Sequence, residues 1–406
     1  MPAGTARRPG KRSYLMGEPR GSTTQRPRIG LALSGGGSRA IAFHLGCLRA
    51  LHDTGVLDHV TTISSVSGGS VLAALYCTTP GDFAAFEARA RLILRSGLVK
   101  PALRVALTTP EGAKAFIWTT LLGLDRFAAF LLRWAWRFLG NRSSSPTGWL
   151  RKSRLKRTFS RTTILRKALD QIFGGATLAD LRADRPRLII VACELQTKSA
   201  FYFTTEGLAS WRFGEASANG VKVSQAVVAS AAYPLLLPSL DEELTFRKDG
   251  NDLVRQVVLT DGGVYDNSGL SPLWPDRNPD ISFYVAEHER LIACRAGYGL
   301  GHDPAPTFLG SRMTAAFNAV HARAQNAAVQ RLFELERNRR VEAILLPFID
   351  QPDEQLLTAP ADLVPRAHVS AYPTDFYAMS DAWAERLIRR GEQVTRALLE
   401  QHWSIT

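Results

Sequence analysis

The sequence predicts an α/β chain: a three-layer α/β/α sandwich around a central mixed, mostly parallel sheet. Three observations predict it. From Arg28 to Leu346, short β-branched or aliphatic runs alternate with longer amphipathic runs, the pattern of strands feeding helices. Several strand-like runs end in glycine-bearing loops, as at Ser34–Ala40, Ser65–Gly69 and Asp261–Gly263. The composition, 45% hydrophobic and 21% charged over 406 residues, is that of a globular chain long enough for one large domain or two.

Taken in order, residues 1–27 are rich in Pro, Gly, Arg, Ser and Thr and read as a disordered basic tail. Arg28–Leu33 is a short strand. Ser34-Gly35-Gly36-Gly37-Ser38-Arg39-Ala40 follows, then a helical run through Leu51. Glycines opening a helix present bare N–H groups and the positive end of the helix dipole, an anion site. Two chemistries use such a site: an oxyanion hole for acyl transfer, or a dinucleotide pyrophosphate. The dinucleotide fingerprint wants an acid about twenty residues on, ending the next strand. Asp58 precedes that strand, and Ser67 ends it, which favours the oxyanion reading.

Val60–Val66 is a β-branched strand that stops at Ser67; Gly68, Gly69 and an apolar run through Tyr76 follow. Strand, sharp turn and helix together lift a serine hydroxyl to the edge of a sheet, and the turn needs small neighbours. Ser67 is therefore the candidate nucleophile; a serine-rich strand-to-helix loop is the plain structural alternative.

Residues 82–96 read as a helix, and an insert at about 97–180 follows. Residues 115–139 place aromatics, among them Trp118, Trp134 and Trp136, beside arginines at helical spacing. Arg151, Lys152, Arg154, Lys156 and Arg157 extend the positive patch. Residues 126–169 carry twelve Lys/Arg and no acid, residues 1–28 are +6, and the rest sums to about −5 of the net +13. This layout favours an anionic surface as partner, with lipid headgroups ahead of nucleic acid; the alternative is a packed helix and a solvated basic loop.

Strands are then expected at Leu188–Cys193, Ala200–Thr205, Gln256–Thr260, Ile281–Ala286 and Val341–Leu346, and helices over 223–232, 311–338 and 380–400. The predicted domains are the tail 1–27, a catalytic domain 28–350 and a helical extension 351–406. Cys47, Cys77, Cys193 and Cys294 are scattered in apolar contexts without metal-ligand spacing, which reads as buried free thiols in a reducing, cytoplasmic compartment. No metal or cofactor is implied. The first 28 residues lack a secretory apolar core, and no uncharged apolar run is long enough to span a bilayer, so peripheral membrane association is expected.

The glycine loop, the serine elbow and Asp261-Gly262-Gly263 all fall at strand tips, where α/β sites gather. A serine needs a base and an acyl oxyanion needs donors; Asp261 can be that base. From Ile29 to Leu346 the sequence resembles the patatin-like phospholipase family. Gly35–Ala40 resembles its G-G-G-x-[RK]-G loop, Ser65–Gly69 its G-x-S-x-G elbow, Ala229–Pro234 its A-S-x-x-x-P segment and Asp261–Gly263 its D-G-[GA] motif. Ala40 and Ser65 stand where the family has glycine. The resemblance implies a patatin-like sandwich, a Ser67–Asp261 dyad, amide donors at Gly35, Gly36 and Gly37 supported by Arg39, and hydrolysis of phospholipid or lysophospholipid acyl esters. Two other readings stand beside it. One is a Ser–Asp–His arrangement, for which His288, His302 and His321 follow Asp261 and His288 is favoured by its place after a strand. The other is a catalytically silent membrane- or nucleic-acid-binding adaptor. Asp266 is a second carboxylate to weigh, and Tyr265 and Asn267 are expected to shape its loop.

Overall fold

The computed structural model describes residues 27–403 apart from 111, 115–116, 118–159, 235, 279–281, 283–287 and 298–305. The tail, the expected strand at 281–286 apart from Ser282, and the aromatic-basic core of the insert therefore lie outside the described residues.

Five strands run parallel in the order β10-β9-β1-β2-β3: β1 (Ile29–Leu33), β2 (Val60–Ser65), β3 (Arg187–Glu194), β9 (Arg290–Cys294) and β10 (Ala343–Leu345). Alternation of side chains decides what each strand face buries. Leu31, Leu33, Ile292 and Cys294 join one core cluster, while Ala32, Leu291 and Ala293 face a second. Helices α1 (Gly37–Asp53) and α9 (Asp381–His402) contribute to the first, and α8 (Leu309–Arg337) sends Leu332 and Leu335 into the second. The α1–α9 crossing is close because it is built on two glycines. A Cβ at Gly46 would collide with the Ile388 carbonyl, and one at Gly391 with the Phe43 carbonyl.

Beyond β3 the architecture departs from the expected sandwich. β4 (Ser199–Thr204), β5 (Leu208–Ser210), β6 (Gly214–Ala216), β7 (Leu240–Lys248) and β8 (Asn251–Asp261) continue the sheet, every neighbour antiparallel. β8 then pairs back onto β3, Ala192 opposite Asp261, closing a six-stranded antiparallel barrel with the parallel strands outside it. The expectation of a mostly parallel three-layer sandwich is thus corrected: six strand pairings are antiparallel and four parallel. The cause is connection length. Links of a few residues join β3 to β4, β4 to β5, β5 to β6 and β7 to β8, and only antiparallel neighbours can be joined without a crossover. Asp249 and Gly250, both at positive φ, form the two-residue turn between β7 and β8.

The remaining helices are α2 (Gly68–Thr78), α3 (Phe83–Ser96), α4 (Val99–Thr108), α5 (Arg161–Ile172), α6 (Val223–Ser230) and the single turn α7 (Gly263–Asp266). Among the described residues no helix is long and apolar enough to cross a membrane.

Candidate active site

Ser67 sits between β2 and α2 at φ 51°, ψ −118°, a conformation that L-residues adopt only under constraint. The constraint is visible. The Ser67 N–H donates to Ser230 Oγ at 2.9 Å, and Ser230 Oγ donates to the Val191 carbonyl at 2.6 Å. Ser230 ends α6, so the Ala229–Pro234 segment clamps the elbow against β3. The same segment holds the tip of β8: the Asp261 N–H donates to the Ala232 carbonyl at 3.0 Å and the Gly262 N–H to the Ser230 carbonyl at 3.1 Å. One short stretch therefore fixes both Ser67 and Asp261.

Gly68 is required because a Cβ there would strike the Gly37 carbonyl. Ser65, which replaces the first glycine of the elbow, is fully buried and donates to the Ile189 carbonyl at 3.3 Å. Ala40, the other departure, is fully buried at the start of α1. Both are accommodated locally.

Asp261 is buried, with 4% of its surface exposed. Burial pushes its carboxyl up to about 6, opposed by the Gly263 N–H, 2.7 Å from Oδ1, and by the Ser67 hydroxyl. A carboxylate so poised, bonded to a serine, can take a proton near neutral pH.

Ser67, Asp261, Gly35, Gly36, Gly37 and Arg39 all border one cavity of about 80 Å³. The Gly35 N–H already donates to the Asn267 carbonyl at 3.0 Å, so of the three expected amides it is the one engaged within the protein. Gly36 and Gly37 begin α1 at positive φ. Arg39 is buried; its Nε donates to the Ala296 carbonyl and Nη1 to the Tyr372 carbonyl, each at 3.1 Å. It ties β9 and the C-terminal segment to the loop. The Ser38 N–H donates to the Asp375 carbonyl at 2.6 Å, laying residues 374–376 along the cavity wall.

Asp266 is buried with its carboxyl raised, first by burial, and accepts from the N–H groups of Ser268, Ser271 and Gly269. It braces the loop. Asn267 lines the cavity and donates to Gln325 on α8 at 3.4 Å; Tyr265 is half-exposed beside it. His288 packs against Gly30, near the start of β1 and so at the opposite end of the strand from the serine elbow. That position removes it from any triad with Ser67. His321, the histidine that sequence position did not favour, lines the cavity and is bonded to the Gly263 backbone, its pKa lowered chiefly by burial. Helical spacing alone brings it there: Phe317, Asn318 and His321 share one side of α8.

His302, Trp118, Trp134, Trp136, Arg151, Lys152, Arg154, Lys156 and Arg157 lie outside the described residues. A larger cavity, about 540 Å³, opens against the barrel strands. Of its charged residues, Arg187 pairs with Glu206 at 3.1 Å and Arg247 with Asp252 at 2.8 Å, and neither Ser67 nor Asp261 lines it. Among the described residues no three His, Cys, Asp or Glu are placed to hold a metal.

The serine elbow after β2, the buried carboxylate of Asp261 at the tip of β8 and the glycine loop after β1 thus border one cavity on a barrel-bearing α/β fold. The Patatin-like phospholipase model matches residues 31–274, more than half of the chain, and the chain belongs to the patatin-like phospholipase family. No curated protein matches it. Among solved structures it is similar to human GIVD cytosolic phospholipase A2, at 14% identity and a TM-score of 0.51 over 91% of this chain and 61% of that one. A second structure of that enzyme, in complex with methyl gamma-linolenyl fluorophosphonate inhibitor and terbium chloride, gives 13% identity and 0.50 over 94% and 59%. At these identities the likeness is one of fold, and the chain spans about three fifths of the length of those structures.

Proposed function

We propose that this protein is a serine lipid acyl hydrolase of phospholipase A or lysophospholipase type, working through a Ser67–Asp261 dyad. The observation that carries the reading is the Ser67 hydroxyl held on a strained elbow against a buried carboxylate whose pKa is raised to about 6. Family membership supports the lipid ester as substrate.

Ser67 Oγ attacks the ester carbonyl carbon while Asp261 takes the hydroxyl proton. The charge that develops on the carbonyl oxygen rests against the Gly36 and Gly37 amides and the positive end of α1. Collapse breaks the ester bond, and the departing alcohol takes the proton from Asp261. Water then attacks the acyl-enzyme with Asp261 again as base, releasing the fatty acid and restoring Ser67. Each step uses only side chains and amides of this chain. An anionic membrane surface is the proposed source of substrate.

A fluorophosphonate tests the nucleophile directly, and the human phospholipase A2 of similar fold is known in complex with one. The wild type should be labelled and Ser67→Ala should not. Loss of the nucleophile in a serine hydrolase costs on the order of a millionfold in turnover; a Ser67→Ala variant retaining a tenth of wild-type ester hydrolysis would exclude the mechanism.

A further inference from the structure

We infer that the outer faces of α4 and α8 form a docking surface for an anionic phospholipid bilayer around the mouth of the Ser67 cavity; this rests on the proposed lipid hydrolase reading and names the surface through which that site meets its substrate. On α8, Leu309, Met313, Ala316 and Val320 recur at four-, three- and four-residue spacing and are all exposed, Leu309 by 72%, Met313 by 64% and Val320 by 71%. On α4, Val99, Leu103 and Leu107 recur every four residues, and Leu107 is 78% exposed. Such spacing puts each set on one helix face. α8 borders the cavity, and α4 starts beside its wall. Phe317, Asn318 and His321 of α8 line it, and the Leu98 N–H ahead of α4 donates to the carbonyl of Phe376, another lining residue, at 2.9 Å. Leu236 at the rim and Tyr377 next to Phe376 are also exposed.

Charge selects the occupant. Residues 309–333 contain Arg312, Arg323 and Arg331 and no acid; α4 contains Lys100 and Arg104 and no acid. Lys100, Arg104, Arg312 and Arg323 are exposed, and among the described residues none has an ion-pair partner. An apolar stripe flanked by free cations fits a lipid interface, where aliphatic side chains enter the acyl boundary and the cations meet headgroup phosphates. The chain's own segments do not match it. The insert over 126–169 is +12 without an acid and residues 1–28 are +6, so either would bring like charge onto the face. A twofold dimer through the same patch would likewise set cations against cations.

The test uses the full chain as Ser67→Ala, so that partitioning is read without turnover. Binding is measured by co-sedimentation with phosphatidylcholine vesicles with and without phosphatidylserine, across a salt series. Combined Leu107→Asp, Leu309→Asp, Met313→Asp and Val320→Asp should weaken binding to the anionic vesicles by at least about tenfold at an unchanged unfolding midpoint, while Leu107→Met, Leu309→Met, Met313→Leu and Val320→Ile keep it. A second variant, Lys100, Arg104, Arg312 and Arg323 each to Gln, should lose most of the phosphatidylserine dependence and flatten the salt response. That variant changes only exposed side chains and decides the matter if the aspartate variant does not fold. Wild-type partitioning by a folded aspartate variant, or by the glutamine variant, overturns the docking surface. So does a change from dimer to monomer in the aspartate variant, which would assign the face to a second copy. Failure of the hydrolase reading shows elsewhere, as absent fluorophosphonate labelling of the wild type.

Discussion

At the scale of single residues, two side chains hold the site in a costly state. Ser67 sits in backbone space that costs about 1–3 kcal/mol for a non-glycine residue. Ser67→Gly should therefore raise the thermal unfolding midpoint while abolishing ester hydrolysis. Asp261 is the second. Its carboxyl lies at about 6 when folded against 3.8 when exposed. Because the folded value is the higher one, its contribution to stability is fully present below pH 3.8 and is lost as pH rises through about 6. Above that, the buried carboxylate costs on the order of 3 kcal/mol. Asp261→Asn should thus stabilise the protein at pH 8 and change little at pH 3.5, read by denaturant midpoints at each pH, and should remove turnover at both. For the wild type, kcat/KM should rise with pH through about 6 as the base ionises. A profile with its midpoint unchanged in His321→Gln keeps the titration on Asp261; a midpoint that moved with His321 would reassign it. His288→Ala should leave turnover near wild type, because His288 lies at the far end of β1.

At the scale of elements, the elbow is held by a neighbour rather than by its own sequence. Ser230 at the end of α6 accepts from the Ser67 N–H and donates to the Val191 carbonyl. Ser230→Ala leaves both buried groups unpaired, at about 1–3 kcal/mol for each. Chemical denaturation should show that loss, and kcat should fall with it, while Ser70→Ala, which removes only a Ser70–Ser230 hydroxyl contact of 3.0 Å, should be milder. Equal effects from the two would remove the clamp from the account. The α1–α9 crossing offers a second test. Gly46→Ala and Gly391→Ala each place a methyl against a carbonyl of the facing helix. Overpacking of this kind costs ~1–3 kcal/mol, and since α1 begins at the glycine loop that borders the Ser67 cavity, activity should weaken along with the unfolding midpoint.

At the scale of the whole molecule, the site lies where the two halves of the sheet meet. β1 and β2 deliver the glycine loop and Ser67 from the parallel half, and β8 delivers Asp261 from the barrel. The β3–β8 pairing that closes the barrel sets Asp261 opposite Ala192, on the strand next to β2. Disrupting barrel closure should therefore separate Asp261 from Ser67. A proline at Thr260, opposite Cys193 in the register and the next hydrogen-bonding position along from the Leu195–Val258 pair, removes a donor of the β3–β8 ladder. It should abolish fluorophosphonate labelling well below the temperature at which helical circular dichroism is lost.

Much of the site was legible in the chain because its chemistry is local. A β-branched run, a serine and two glycines mark a strand-to-helix turn at Ser67, and three glycines before a helix mark an anion-facing loop. The barrel was not legible: β7 reads as Leu-Asp-Glu-Glu-Leu-Thr-Phe-Arg-Lys, too charged to announce a strand, and β5 and β6 have three residues each. Barrel closure depends on one pairing, β3 with β8, between strands separated by more than fifty residues, and nothing in either strand's own pattern names its partner. For the same reason the sequence ranked His288 above His321 and treated three glycine amides alike. Only the tertiary structure seats α8 over the cavity, sends His288 to the other end of β1 and engages the Gly35 amide with Asn267. Local backbone chemistry determined which groups this protein presents; packing between distant segments decided which of them meet.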